Sequence, residues 1–448
     1  MPESTSPAGV VQPRRRRKWF LAVTALMSCF LSCVILEVGC RMLGFDPTPQ
    51  TASVVIPPEK LHPESWLREA QLNSWVRPPF RETLLDTGDP QTGTIKTRRN
   101  NCGFREDSDT PVSKPEGVYR ILVLGDSHTD GACLNTESFA NRLEADLNSH
   151  ISTPRCDVIN AGQVVFSPYQ EWWLYERVGT HFAPDLIVVA IYCGNDYWDL
   201  QQTSDRVHLT RAGERFVHQA GPPVSAPVSE PQSPPPTFRR TAKDFLRDHF
   251  ATYHALAEIG PLRSTFGTPP QYSPFELKVQ SLPPEARAAY FQSLGQAAYF
   301  AESPEKLPES NAMFKHTVGL FQASARRDRA ELLFVVIPTL REVCPEVDPQ
   351  GLATTIDRLQ LSTQQASLDS AIRGMAVQAI QEAQSKVIDL QAPLLEAEQS
   401  QRGLRLYHKF DNHLAPDGHR IVADVLAKQI PPYLQKGEAS PSEGNTPP

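Results

Sequence analysis

An α/β fold built on a parallel sheet is predicted by three observations. Short apolar runs alternate with amphipathic stretches, one such run leads straight into a Gly-Asp-Ser turn, and the alternation resumes after a long proline-rich break. The first run, Arg120-Ile121-Leu122-Val123-Leu124, carries four consecutive apolar residues, the pattern of a strand buried on both faces. Gly125 allows a sharp turn, and Phe139, Leu143 and Leu147 repeat at the spacing of a helix. From there the chain reads as strand 120–124, helix 137–148, strand 156–160, helix 170–180 and strand 185–192. After Leu200 the rhythm breaks: residues 221–237 hold seven prolines among small residues and read as an exposed loop, and 238–312 are helical but weakly patterned. Residues 201–312 therefore read as an insertion or lid region between two halves of one domain. The alternation returns with Glu331-Leu332-Leu333-Phe334-Val335-Val336-Ile337, a strand stopped by Pro338, and continues as helix 365–384, strand 386–390 and a closing helix over 417–428.

The 448 residues suffice for one large or two ordinary domains, and a 40% hydrophobic content is adequate for a core. A net charge of -7, with no basic stripe outside the N-terminus, argues against a nucleic-acid partner. Residues 14–18 are Arg-Arg-Arg-Arg-Lys and precede an uncharged run over 19–36, which as a helix rises roughly 27 Å, nearly a bilayer core. The positive cluster keeps residues 1–18 cytoplasmic, so 19–44 reads as a single-pass signal anchor with the remainder extracytoplasmic, in the periplasm. A cleaved signal peptide is the rival, although no Ala-x-Ala site follows; Leu26-Met27-Ser28-Cys29 loosely resembles a lipobox, but the apolar run continues past it. Residues 45–115, with Trp66 and Trp75, read as a proline-punctuated juxtamembrane stalk wrapping onto the domain, 116–435 as the main domain, and 436–448 as a disordered tail. Of eight cysteines, Cys102, Cys133, Cys156, Cys193 and Cys344 lie beyond the anchor; none has metal-ligand spacing, and their odd number excludes complete internal pairing.

Acyl transfer by a serine needs a base, a group that orients the base, and donors for the oxyanion. Ser127 would stand at the carboxyl end of a strand, where open α/β sheets hold their ligands. In Phe410-Asp411-Asn412-His413 a loop opens the closing helix, so His413 can reach over the sheet edge and Asp411 can reach its imidazole from the same loop. An imidazole near its ordinary pKa of about 6.5 is largely neutral at pH 7 and can act as a base. Gly194-Asn195-Asp196 follows the strand ending at Tyr192 and brings a side-chain amide to the same edge. Taken singly, each has a plainer reading: Gly-Asp-Ser and Gly-Asn-Asp are ordinary turns, and His413 or His419 can simply cap the closing helix. His128, beside the serine, reads as a packing or solvated residue.

Gly125-Asp126-Ser127, Asn160-Ala161-Gly162, Gly194-Asn195-Asp196 and Asp411-Asn412-His413 with Gly418 follow one another in an order that resembles the SGNH/GDSL hydrolase family, over roughly 99–200 and 330–430. Gly103-Phe104-Arg105 also resembles membrane-anchored bacterial members. The resemblance implies a flavodoxin-like three-layer α/β/α sandwich and ester cleavage without a metal or other cofactor. It further implies Ser127 as nucleophile, His413 as base, Asp411 as orienting acid, and the Ser127 amide with the Asn195 side chain as oxyanion donors. Two positions depart from the family. Its acid commonly stands three residues before the histidine, where this chain has Phe410. Its oxyanion glycine often stands five beyond the asparagine, where this chain has Val165, which can donate only if its backbone keeps a negative φ; Gly162 is the fallback. The expected protein is thus a membrane-anchored serine esterase acting on acyl esters, such as O-acetyl groups of an envelope polysaccharide. An O-acyltransferase using the same residues, or a non-catalytic polysaccharide-binding or scaffolding module, are the alternatives.

Overall fold

The computed structural model describes residues 23–24, 27–28, 31–39, 62–72, 75–86, 92–151, 153–202, 207–213, 215–219, 294–344, 349–401, 403–408 and 412–434. Everything that follows concerns the unit made of residues 56–229 and 274–448. Half of the predicted anchor over 19–44 falls outside the described residues, as do all of the proline-rich 221–237 and the tail 436–448; among those described, no helix is long and apolar enough to cross a membrane.

Strands β1 (Glu82–Asp86) and β2 (Thr94–Arg98) form an antiparallel hairpin. The main sheet is built from β3 (Val118–Leu124), β4 (Arg155–Asn160) and β5 (Leu186–Tyr192). After a second hairpin, β6 (His208–Ala212) with β7 (Arg215–Gln219), the sheet is completed by β8 (Glu331–Ile337) and β9 (Lys386–Asp389). The five sheet strands are all parallel, in the order β4-β3-β5-β8-β9. Numbered among themselves this is 2-1-3-4-5, the flavodoxin-like order, in which ligands bind where the winding direction reverses, between the first and third strands.

Continuous apolar runs became the central strands for the reason the sequence suggests: they are covered on both faces. All seven residues of β5 are buried, and alternate side chains divide between two cores. Leu122, Leu124, Ile187 and Val189 face one core, completed by helices Pro168–Arg177, Lys306–Asp328 and Leu368–Glu382. Ile121, Val123, Val188 and Ala190 face the other, completed by Phe139–His150 and Pro416–Gln429. Each fully buried aliphatic side chain contributes on the order of 2 kcal/mol, so two shared strands tie both layers into one cooperative body.

The described residues of 45–115, the stretch expected as a stalk wrapping onto the domain, contribute to this body. Leu67, Ala70, Val76 and Phe104 belong to the first core, and Trp66 stacks on His181 with ring centroids 4.0 Å apart. The helix Lys306–Asp328 likewise begins inside the stretch read as an insertion, and it buries Met313, Phe314, Val318 and Phe321. Its apolar positions are spaced helically, but its alanines and serines blur the contrast between faces.

Candidate active site at the sheet switch point

Strand β3 ends at Leu124, and the chain turns through Gly125 into a one-turn helix, Ser127–Asp130. A Cβ on Gly125 would stand 2.0 Å from Thr129 Oγ1, so the turn is too tight for any side chain. Asp126 caps the helix by accepting the His128 N–H at 2.8 Å. Ser127 holds the first helical position, and among the described residues its own N–H donates to nothing, as expected of the opening turn of a helix.

The far end of this helix is held by two buried polar side chains. Arg105, 1% exposed, donates from Nη1 to the carbonyls of Asp130 (2.9 Å) and Gly131 (2.8 Å), from Nη2 to that of Cys133, and from Nε to Asn135 Oδ1 (2.6 Å). Asn160, brought alongside by the β3–β4 register that pairs it with Val123, donates to the Thr129 carbonyl at 3.0 Å. These bonds consume carbonyls at the helix's carboxyl end and leave its amino end facing outward.

His413 lies in the loop before helix Pro416–Gln429, and its Nε2 stands 2.7 Å from Ser127 Oγ, joining residues 286 apart in the chain. Backbone pairing pins the loop: the His408 N–H donates to the His413 carbonyl (3.0 Å) and the Ala415 N–H to the Leu406 carbonyl (2.9 Å). The imidazole packs on His128 (centroids 4.8 Å), which in turn stacks on Tyr192 (3.5 Å). Burial, with the neighbouring His413 and His419, holds His128 well below the usual imidazole range, so it is a neutral spacer behind the His413 ring. His419, also buried, accepts the Phe139 N–H on Nδ1 at 3.2 Å and is held at about 3 by desolvation. Asp411 lies outside the described residues.

The expected oxyanion donors fare differently. The Asn195 side chain does arrive at this edge, but Nδ2 donates to Asp126 Oδ2 (3.2 Å) and Asp199 Oδ2 (2.7 Å), which engages both of its hydrogens. Gly162 is corrected as a fallback donor, because its N–H is taken by Asn160 Oδ1 at 3.1 Å. Its requirement is steric: a Cβ there would stand 2.3 Å from the Asp130 nitrogen. Val165 has φ +65°, so the condition set for it, a negative φ, is not met. The backbone keeps the conformation that a glycine would adopt freely, although a β-branched residue occupies it.

Asp126, Glu171 and Asp196 lie buried behind the serine, and burial first, then the nearby charges of Asp126 and Asp199, raises Glu171 and Asp196 well above the ordinary carboxylate range. Burial also raises Asp126, against the His128 N–H, His413 and the Asn195 amide. The five buried cysteines are free thiols, and no group of three or more His, Cys, Asp or Glu among the described residues is arranged to hold a metal ion. In front of the serine is a cleft of about 250 Å³ whose wall includes Ser127, His413, Arg77, Arg81, Arg99 and Asp130. Sequence reasoning missed the arginines, which come from the β1–β2 region and its flanks; three arginines at 77, 81 and 99 carry no motif. It also missed the work of Arg105 and the His128–Tyr192 stack. The Gly-Phe-Arg triplet ahead of β3 was the one available signal for Arg105.

No protein-family model and no curated protein matches the chain. Among solved structures, it is similar to an α/β hydrolase from the metagenome of Lake Arreo, Spain (10% identity, 69% of this chain and 95% of that one, TM-score 0.35). It is also similar to the acetyl xylan esterase AlAXEase (12% identity, 69% and 99%, TM-score 0.33) and to Axe2, an acetylxylan esterase from Geobacillus stearothermophilus (13% identity, 70% and 94%, TM-score 0.35). The chemistry below rests on the site itself.

Proposed function

We propose that this protein is a serine esterase of the SGNH/GDSL type that cleaves acyl esters through a covalent acyl-Ser127 intermediate. The reading is carried by the 2.7 Å approach of His413 Nε2 to Ser127 Oγ beside a cleft. As Oγ attacks the ester carbonyl carbon, its proton passes to Nε2; collapse of the tetrahedral adduct breaks the bond to the alcohol oxygen, which takes that proton. Water then adds to the acyl-enzyme with His413 as base, and Ser127 leaves with its proton restored.

Asp411 is the acid assigned to orient the imidazole and stabilise the imidazolium. The unengaged Ser127 N–H is the first oxyanion donor. Asn195 becomes the second by exchanging its longer bond, to Asp126, for the developing oxyanion. A single donor of this kind is worth about 3 kcal/mol of transition-state stabilisation. The small cleft favours a short acyl group such as acetyl. With residues 19–44 as a membrane anchor and the domain outside, the substrate is an acylated polysaccharide of the cell envelope.

A fluorophosphonate probe is expected to label the protein at Ser127 and to leave Ser127→Ala unlabelled. A folded wild-type protein that resists the probe would overturn the esterase reading. It would favour instead a non-catalytic binding module, the reading that the engaged amides of Asn195 and Gly162 support.

A further inference from the structure

The cleft at Ser127 is cationic in a chain whose net charge is -7. Four guanidinium groups, Arg77, Arg81, Arg99 and Arg105, share its wall with one carboxylate, Asp130. They are not equivalent. Arg105 spends its donors on the carbonyls of the nucleophile turn. Arg99 ion-pairs through Nη2 with Asp130 Oδ1 at 2.6 Å, yet its side chain is only 8% exposed and its Nη1 is buried with no hydrogen-bond partner. Arg81 is half-buried and makes no ion pair or side-chain hydrogen bond among the described residues.

An unsatisfied donor on a buried, permanently charged group is costly, and it is retained where a ligand completes it. A guanidinium fork suits a carboxylate, which accepts two parallel N–H bonds. We propose that Arg99, assisted by Arg81, forms a subsite for a carboxylate carried by the ester substrate, making the cleft selective for acidic esters. This rests on the esterase reading and specifies its substrate. The carboxylate can belong to the alcohol, as in an acetylated uronic acid, or to the acyl group, as in a succinyl half-ester; both present the same chemistry to Arg99.

The test compares kcat/KM within matched pairs that differ in one charge. On the alcohol side the pair is an O-acetylated glucuronic acid against its methyl ester, and on the acyl side 4-nitrophenyl succinate against its methyl ester, 4-nitrophenyl methyl succinate. The wild-type protein is expected to prefer the charged member of one pair by about tenfold or more, the size of one charge-assisted hydrogen bond. The preference resides in KM and shrinks with added salt. The pair that shows it identifies which side carries the charge. Arg99→Lys keeps a cation but loses the fork, and Arg81→Gln touches no buried ion pair; both are expected to lower the preference ratio severalfold.

Hydrolysis of neutral and acidic esters at equal rates in both pairs would overturn the subsite and leave the esterase standing. A readout that needs no catalysis separates the two readings further. Glucuronate but not glucose, where the alcohol-side pair shows the preference, or succinate but not acetate, where the acyl-side pair does, is expected to raise the Tm of Ser127→Ala, and less so once Arg99→Lys is added. Binding of either carboxylate without cleavage of any ester would sink the esterase and keep the subsite. Absence of an effect of either carboxylate, together with absence of charge preference, would sink the subsite.

Discussion

The turn that carries Ser127 and the loop that carries His413 present two halves of one hydrogen bond, and they are held by different physics. The turn is fixed by directional bonds from buried side chains: Arg105 and Asn160 together bind the carbonyls of Thr129, Asp130, Gly131 and Cys133, while Gly125 and Gly162 let chain segments approach within distances no Cβ allows. The histidine loop is pinned through backbone pairs, and its working ring rests on stacked aromatic faces, with His128 and Tyr192 behind it. Directional bonds fix an N–H and a hydroxyl to within fractions of an ångström. A stack fixes the plane of an imidazole but lets it slide, which suits a group that must face first the serine and then the leaving oxygen.

The hardest way to break the comparison is on the turn's side. Gly162→Ala drives a methyl group against the Asp130 nitrogen at 2.3 Å, and backbone cannot step aside as a flexible side chain can. A destabilisation of about 3 kcal/mol is expected, with activity lost in whatever still folds. Urea unfolding of the variant measures it, and a cost under about 1 kcal/mol would mean that the turn is less constrained than its contacts indicate.

Acid should break the other side. His419, on the helix that follows the His413 loop, docks against Phe139 and the nucleophile turn while neutral, its pKa lowered to about 3 by burial. Between that value and the unfolded value of about 6.5, the unfolded chain binds the extra proton, so stability rises with pH and is lost as pH falls through this window. From pH 7 to pH 5 the loss from His419 is about 2 kcal/mol, and His128, shifted in the same direction, adds to it. Urea midpoints at the two pH values should diverge in the wild type and diverge less in His419→Gln, where only the His128 share remains. An unchanged pH slope in that variant would place the acid sensitivity elsewhere.

The smallest effect sharpens the comparison at its edge. Val165 holds φ +65° on an exposed β-branched residue. Val165→Gly removes the left-handed strain but also frees the unfolded chain, so the net gain is expected to stay under about 1 kcal/mol. Calorimetry of the variant measures it, and a loss of stability would show that the valine side chain contributes packing that outweighs its strain.

Much of the sheet was legible because burial on both faces leaves a direct mark: the runs at 121–124, 186–192 and 331–337 have no polar alternation to confuse them with helices. Helix edges moved by a few residues, as where Ser167, Pro168 and Gln170 start a helix earlier than its apolar spacing suggested. The hairpin β1–β2 was missed because its strands are short and mostly polar, with one face toward solvent and cleft. The fallback assignment of Gly162 as an oxyanion donor failed for a related reason: which acceptor takes its amide depends on neighbours that sequence does not rank.

By itself, the sequence determined that a serine would stand at the carboxyl end of a buried strand, since an apolar run, a glycine and a helix cap are local instructions with local causes. Tertiary structure alone decided what surrounds that serine. It brought His413 across 286 residues to Ser127 Oγ, it committed the Gly162 amide to Asn160, and it turned scattered arginines at 81 and 99 into one wall of a cleft. Such contacts arise from the crossing of distant segments at a sheet switch point, where strand order and packing, not nearest neighbours in the chain, set which groups meet.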